Sequence, residues 1–339
     1  MPDRDRFDAH VVLIDYSRPL FTPMGFEAER MAAVGASWEQ YECRTPEQAI
    51  EAARDAVVVV IQSVRPLLTR EVIEQLPAAR CLIRAGAGYD CIDVAAATEQ
   101  GIMVCNTPTY CVDEVADHAI ALMLDCLRHV SRLDRAMHRG EQPHREPGRT
   151  RRMRGATLGI IGLGPIGRRV AQSVQGWEME VVAYDPYVSQ ERATPLGIEM
   201  LPLNALLERS DFITIHCPLT PETYHMLDDE AFARIKPGCI LVNDARGAIV
   251  DEAALIRALE SGRLWAAGLD VTEQEPLPLD APLRGREDVV LTPHVAAYSP
   301  ESRADLYELI CEVCADVVQG CIPRFVVNRE VLSRLRPAS

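Results

Sequence analysis

The chain has 339 residues, 48% of them hydrophobic and 25% charged, and 35 Lys and Arg against 50 Asp and Glu leave a formal charge of −15. This is the composition of a soluble globular protein, not of a disordered or collagen-like chain, and the length suits two domains better than one, since single cores stop growing at roughly 250–300 residues. The acidic balance argues against direct nucleic-acid binding, which needs a basic face.

Near the N-terminus the longest apolar run, residues 56–61, is far short of the roughly 20 residues that span a bilayer. Asp3, Asp5 and Asp8 stand where a secretory signal would be basic. No membrane partner is expected. A cytoplasmic protein is, with its 11 cysteines reduced. Cys311 and Cys314 form one C-x-x-C, but the surrounding L-Y-E-L-I-C-E-V-C-A-D-V-V has the period of an amphipathic helix, on which three-residue spacing merely shares a face. With no second pair, no metal site is expected.

In chain order, short apolar runs predict strands at 11–15, 57–61, 81–84 and 102–105, then at 158–161, 181–184, 212–215, 240–242, 267–269 and 289–291. Helical patterns separate them, which means βαβ units and parallel sheets covered on both faces. Between the two series, 113–139 predicts one long helix with Val115, Ala119, Leu122, Leu127 and Val130 on its apolar face, on which His118 is expected to be structural. A polar stretch, 140–154, follows with Pro143, Pro147 and Gly148 and with Arg145, Arg149, Arg151, Arg152 and Arg154; it is expected to be a solvated loop. From Ser299 a final helix is predicted, returning the chain to the first sheet and making the N-terminal domain discontinuous.

G-I-I-G-L-G-P-I-G sets Gly162, Gly164 and Gly167 after a strand, with Pro165 and Ile166 opening the helix. The first glycine suits a tight turn, the second a close approach of pyrophosphate to the backbone, and the third close helix-to-strand packing. The helix N-terminus adds free N–H groups and partial positive charge. The next strand ends in Asp185, whose carboxylate suits the adenosine ribose hydroxyls and would repel a 2′-phosphate, so NAD(H) is favoured over NADP(H). Arg246, Glu275 and His294 each follow a strand of the second series, where open α/β sheets bind ligands. Taken singly, each also suits a duller role: a surface ion pair, a loop carboxylate, a core histidine.

Together the motifs resemble the D-isomer-specific 2-hydroxyacid dehydrogenases, the phosphoglycerate dehydrogenase-like family, over about residues 83–326. R-A-G-A-G-Y-D-C-I-D-V, V-C-N-T-P, G-I-I-G-L-G-P-I-G, H-C-P-L-T-P-E-T, L-V-N-D-A-R-G-A-I-V-D-E, A-A-G-L-D-V-T-E-Q-E-P-L-P and L-T-P-H occur in family order. Within the family the chain is most similar to the C-terminal-binding-protein branch, which includes corepressors, through G-Y-D, A-Y-D-P-Y, T-P-H-V-A-A-Y-S and G-C-I-P.

The resemblance implies two Rossmann-like, doubly wound parallel-sheet domains: a flavodoxin-like substrate domain at 1–107 and 297–339, and an NAD-binding Rossmann domain at 108–296. It implies Arg246, Glu275 and His294 as the catalytic set, acting on a small D-2-hydroxy acid or its 2-keto acid. His294 would be the general acid/base, Glu275 would hold its tautomer, and Arg246 would grip the substrate carboxylate. Backbone of Gly86, Ala87 and Gly88 would meet that carboxylate, and Arg65, otherwise a loop residue, could reach a second anionic group.

For the cofactor the resemblance adds Cys217, Pro218, Thr223, Asp244, Ala245 and Asp270, the last taking the nicotinamide amide. Thr107, Pro108 and Pro293 would be hinges of a domain closure that expels water, and a homodimer would form through the cofactor domain and the long helix. Two positions depart from the family. Asp244 replaces a small or neutral residue and either pairs with Arg246 or points to solvent; Ala297 replaces the tryptophan of the corepressor branch. An NAD(H)-sensing binding protein of the corepressor type and a phosphonate- or phosphite-oxidising dehydrogenase are the other functions this resemblance admits.

Overall fold

The computed structural model describes residues 8–14, 22–63, 65–142 and 149–335. Asp3, Asp5, Asp15 and the loop residues Pro143, Arg145, Pro147 and Gly148 lie outside the described residues. The chain divides into two compact units, one holding the described residues up to Cys111 and from Tyr298 on, the other running from Val112 to Ala297.

The first unit is built on β1 (Ala9–Ile14), β2 (Ala36–Gln40), β3 (Val58–Ile61), β4 (Cys81–Arg84) and β5 (Met103–Cys105). All pair in parallel, in the order β2-β1-β3-β4-β5, the doubly wound order of flavodoxin-like sheets. Every residue of β3, β4 and β5 is buried, as expected of a parallel sheet covered on both faces. The closing helix Pro300–Val318 starts at a Ser299 capping box, the Ser299 hydroxyl accepting from Ser302 N–H and the Ser302 hydroxyl from Ser299 N–H. It packs on β3 and buries Tyr307, Cys311 and Cys314. Burial explains the C-x-x-C, and among the described residues no group of three His, Cys, Asp or Glu side chains is placed to hold a metal ion.

Beyond that helix the chain runs antiparallel to β5. Val326 bridges Cys105, and Val327 N–H donates to Val104 O at 2.8 Å. Asn328, 1% exposed, fastens this return: its Oδ1 accepts from Val104 N–H at 2.8 Å, and its Nδ2 donates to Ile102 O at 3.0 Å and Thr98 Oγ1 at 2.8 Å.

The second unit is a seven-stranded sheet of β6 (Thr157–Ile161), β7 (Glu180–Tyr184), β8 (Glu199–Met200), β9 (Phe212–Ile215), β10 (Cys239–Asn243), β11 (Leu264–Leu269) and β12 (Val289–Leu291). Its order, β12-β11-β10-β9-β6-β7-β8, is parallel throughout. Strand order reverses between β6 and β9, the switch point at whose carboxyl edge dinucleotide folds bind ligand. The helix Val112–Arg128 covers one face, lying on β10, β11 and β12 and against the helix Pro165–Ser173. On the other face Phe232, Leu255 and Leu259 pack with Ile213 and Leu241. No helix among the described residues is long and apolar enough to cross a membrane.

Four features differ from the sequence reading. Strands β2 and β8 carry polar or charged residues at sheet edges, where one flank is unpaired and apolar alternation is not required. The helix expected over 113–139 is two, Val112–Arg128 and Val130–His138, broken at His129. His129 takes φ 57°, its N–H donates to Asp125 O, and Asp125 Oδ1 accepts from Ser131 N–H at 2.8 Å. Arg151 is no solvated loop cation: it lies over the Phe212 and Trp265 rings and pairs with Asp211 at 3.2 Å.

Asn328→Ala strips the buried Val104 N–H and Ile102 C=O of their side-chain partner. The expected loss is about 1–3 kcal/mol, read as a lower denaturant midpoint; an unchanged midpoint would show that the C-terminal return does not stabilise the first unit.

Candidate active site

The switch point is shaped by two close backbone approaches. Gly162 leaves β6 at φ 93°, and a Cβ there would lie 2.6 Å from Cys217 N in the loop after β9. A Cβ on Gly167 would lie 2.2 Å from Gly162 O. Only glycine lets the turn sit against the neighbouring loop while the helix Pro165–Ser173 packs onto β6. Gly164 caps that helix, with Pro165 at its first position and Ile166 next; nothing lies near where its Cβ would be. The turn therefore offers open backbone at a helix N-terminus, which suits a pyrophosphate.

Asp185 closes β7 beside it. Its Oδ2 accepts from Leu163 N–H and its Oδ1 from Tyr187 N–H, both at 2.9 Å, so the carboxylate is pinned to the glycine turn. Across the switch point the loop after Cys217 and Pro218 is tied by Thr223, whose hydroxyl donates to Pro218 O at 2.7 Å while accepting from Thr220 N–H at 2.7 Å. Burial pushes the Cys217 thiol up to about 11, which makes it a neutral packing group and not a nucleophile.

Farther along the carboxyl edge, β10 ends in Asn243-Asp244-Ala245-Arg246. Asn243 folds this turn, its Oδ1 accepting from Ala245 N–H at 3.1 Å and its Nδ2 donating to Arg246 O at 2.9 Å. Asp244 does not point to solvent. Its side chain is fully buried and faces His216, Oδ1 to Nδ1 3.2 Å, and neither of its oxygens receives an aligned hydrogen bond among the described residues. Thr214 Oγ1 lies 2.9 Å from the other nitrogen of His216. Next to Arg246, a Cβ on Gly247 would lie 2.0 Å from Thr272 C and 2.5 Å from Glu273 N. The Arg246 turn thus rests directly on the loop that carries Glu275.

Glu275 and His294 meet: His294 Nδ1 and Glu275 Oε2 are 2.7 Å apart, and both side chains are 29% exposed. The backbone at His294 takes φ 56°, the left-handed region. Asp270, at the end of β11, holds this segment. His294 N–H donates to Asp270 O at 2.8 Å, while the Asp270 carboxylate accepts from Thr292 Oγ1 at 2.6 Å, Val295 N–H at 3.0 Å and Ala296 N–H at 2.8 Å. Its side chain is fully buried, with His118 Nε2 3.5 Å away. Burial works to raise this carboxyl, but the His118 imidazole beside it and donation from Thr292, Val295 and Ala296 outweigh it and hold the group at about 2. His118 is raised in turn, chiefly by Asp270.

The structure therefore joins Glu275 to His294, and Arg246 to the Glu275 loop through Gly247. Sequence pattern did not reveal that Asp270, Thr292 and His118 support them. Ala87, Gly88 and Arg65 belong to the other unit. There Ala87 O accepts from Asn106 Nδ2 at 2.6 Å, Gly86 O from Thr107 N–H at 3.0 Å, and the Arg84 guanidinium lies over Gly86. Arg65 is exposed.

Residues 120–296 match the family model described as "D-isomer specific 2-hydroxyacid dehydrogenase, NAD binding domain". The chain belongs to this dehydrogenase family. It is 41% identical over 293 residues to a glyoxylate reductase of Korarchaeum cryptofilum, covering 85% of this chain and 87% of the relative. A D-3-phosphoglycerate dehydrogenase of Methanocaldococcus jannaschii is 40% identical over 299 residues; there the match covers 86% of this chain but 56% of the relative, so the chain spans little more than half of that protein.

Among solved structures, a D-lactate dehydrogenase from Aquifex aeolicus complexed with NAD and lactic acid superposes with a TM-score of 0.82 at 27% identity, over 97% of this chain and 100% of that one. The second unit therefore contains all the residues that match the NAD-binding domain model of this family.

Asp270 makes acid sensitivity testable. Its carboxyl sits below the ordinary value near 3.8, so it adds stability that is complete above pH ~4 and fades as pH falls towards 2. Asp270→Asn should cost roughly 2 kcal/mol at neutral pH, with the gap to the parent closing as both are acidified. Denaturant midpoints measured between pH 2 and 7 decide it; a pH-independent gap contradicts the assignment.

Proposed function

We propose that this protein interconverts a small D-2-hydroxy acid and its 2-keto acid with NAD(H), His294 acting as general acid and base. The 2.7 Å contact between Glu275 and His294 Nδ1 is the observation that carries the reading. With the Nδ1 proton directed at the carboxylate, Nε2 is the nitrogen that exchanges a proton with substrate. The nicotinamide, when bound, supplies or takes up the hydride at the substrate's C2. In reduction His294 Nε2 delivers a proton to the carbonyl oxygen; in oxidation it removes the hydroxyl proton.

Arg246 holds the substrate carboxylate and polarises the carbonyl with a planar donor fork that Lys lacks. Ala87 and Gly88 offer backbone N–H groups to the same carboxylate, and Arg65 is assigned to a second anionic group on substrate. Gly162, Gly164, Pro165, Ile166 and Gly167 take the pyrophosphate and Asp185 the ribose, repelling a 2′-phosphate. Cys217, Pro218, Thr223, Asp244 and Ala245 complete the cradle, and Asp270 sets its nicotinamide end through the loop it anchors. A cytoplasmic homodimer with residues 1–107 and 297–339 as the substrate domain completes the proposal.

NADH consumption across glyoxylate, pyruvate, hydroxypyruvate, phenylpyruvate, 2-ketoglutarate and phosphohydroxypyruvate, with NADPH as control, should single out one or a few acids. Tight NADH binding without turnover of any acid would shift the reading to a cofactor sensor. His294→Ala should lower kcat by roughly 10²- to 10⁴-fold with NADH affinity nearly intact. Asp185→Ala should erode the preference for NADH over NADPH, and unchanged selectivity would remove Asp185 from the cofactor site.

A further inference from the structure

Beneath His294 lies a chain of three polar side chains drawn from three elements. Asp270 comes from the end of β11, Thr292 from just past β12, and His118 from the long helix that covers this side of the sheet. Thr292 Oγ1 is 2.6 Å from Asp270 Oδ1 and 2.9 Å from His118 Nε2. Asp270 is ionised at any working pH and has no proton to give. The Thr292 hydroxyl therefore donates to Asp270, leaving a lone pair towards His118, and His118 Nε2 must carry hydrogen. The bonds run one way, from His118 Nε2–H to Thr292 O–H to the carboxylate.

That carboxylate and its own carbonyl also fix the N–H groups of His294, Val295 and Ala296. His294 sits among them in a left-handed conformation that costs a non-glycine residue about 1–2 kcal/mol and persists only where its surroundings over-determine it. We propose that His118 is a positioning residue for the reaction: through Thr292 and Asp270 it locks the 292–296 segment and keeps His294 aimed at Glu275. This rests on the reading of His294 as the acid/base.

Thr292→Val removes the hydroxyl at nearly constant volume, and His118→Phe removes the donor while keeping a ring. Each should lower kcat roughly 10- to 100-fold, the scale of a misplaced catalytic group, with KM for the keto acid and Kd for NADH little changed. The far-downfield Nδ1 proton of His294, followed by NMR, should weaken or vanish in both. Thr292→Ser restores the hydroxyl and His118→Gln the donor, so these two should recover most of the loss.

Full kcat and an unmoved Nδ1 proton in Thr292→Val overturn the proposal. A loss that Thr292→Ser fails to recover also overturns it, because the methyl and not the hydroxyl is then what matters. Should either first variant fail to fold, the comparison of His118→Gln with His118→Leu reads the same link. An inactive His294→Ala beside a fully active Thr292→Val sinks the role of His118 alone; an active His294→Ala sinks the acid/base reading itself.

Discussion

The burial of the Asp270 carboxylate, and the donors gathered around it, organise the candidate active site of this protein. Asp270 stands at the end of a central strand with its side chain out of water, where an unpaired anion would cost several kcal/mol. The donors that satisfy it come from one short stretch of chain: the Thr292 hydroxyl and the N–H groups of Val295 and Ala296. Ordering those donors leaves His294 little freedom. Its left-handed backbone follows from the anchoring of residues on both sides, and its ring is delivered to Glu275. Satisfaction of a core charge and placement of a half-exposed acid/base are thus the same set of bonds.

The parallel sheet supplies the rest. Carboxyl ends of β6, β7, β9, β10 and β11 lie along one edge, so the turns leaving them collect there whatever their separation in sequence. Side-chain-free positions decide how close these turns come. Gly162 lets the first turn sit against the Cys217 backbone, and Gly247 lets the Arg246 turn lie on Thr272 and Glu273. A methyl group at either point would separate two functional loops that the sheet brings together.

Much of this was legible in the sequence, for identifiable reasons. Strands buried on both faces appear as short apolar runs, and β3, β4, β6, β9 and β10 do so plainly. The glycine turn and Asp185 directly follow such runs, and Arg246, Glu275 and His294 lie three to six residues beyond them, so position singled them out while the resemblance to the family gave them roles. Edge strands β2 and β8 carry no such signature. Nor does the break at His129: the apolar period continues from Val112 into the next helix, and only a left-handed residue bonded to Asp125 and, through Nε2, to Arg149 O at 2.7 Å interrupts it. The His118–Thr292–Asp270 chain was invisible because its members are separated by up to 174 positions and each has an unremarkable place in its own element.

Asp244 shows what distinguishes a carboxylate that anchors from one that does not. It ends the strand next to Asp270's, is equally buried and likewise faces an imidazole, His216. Yet among the described residues neither of its oxygens receives an aligned hydrogen bond, and the nearby Ala245 N–H is held by Asn243. Among the described residues Asp244 therefore fastens no loop, while its neighbour one strand away fastens the loop that bears His294. Two aspartates at equivalent sheet positions thus differ in what surrounds them: Asp270 gathers its donors from the segment that bears His294, and Asp244 faces a single imidazole.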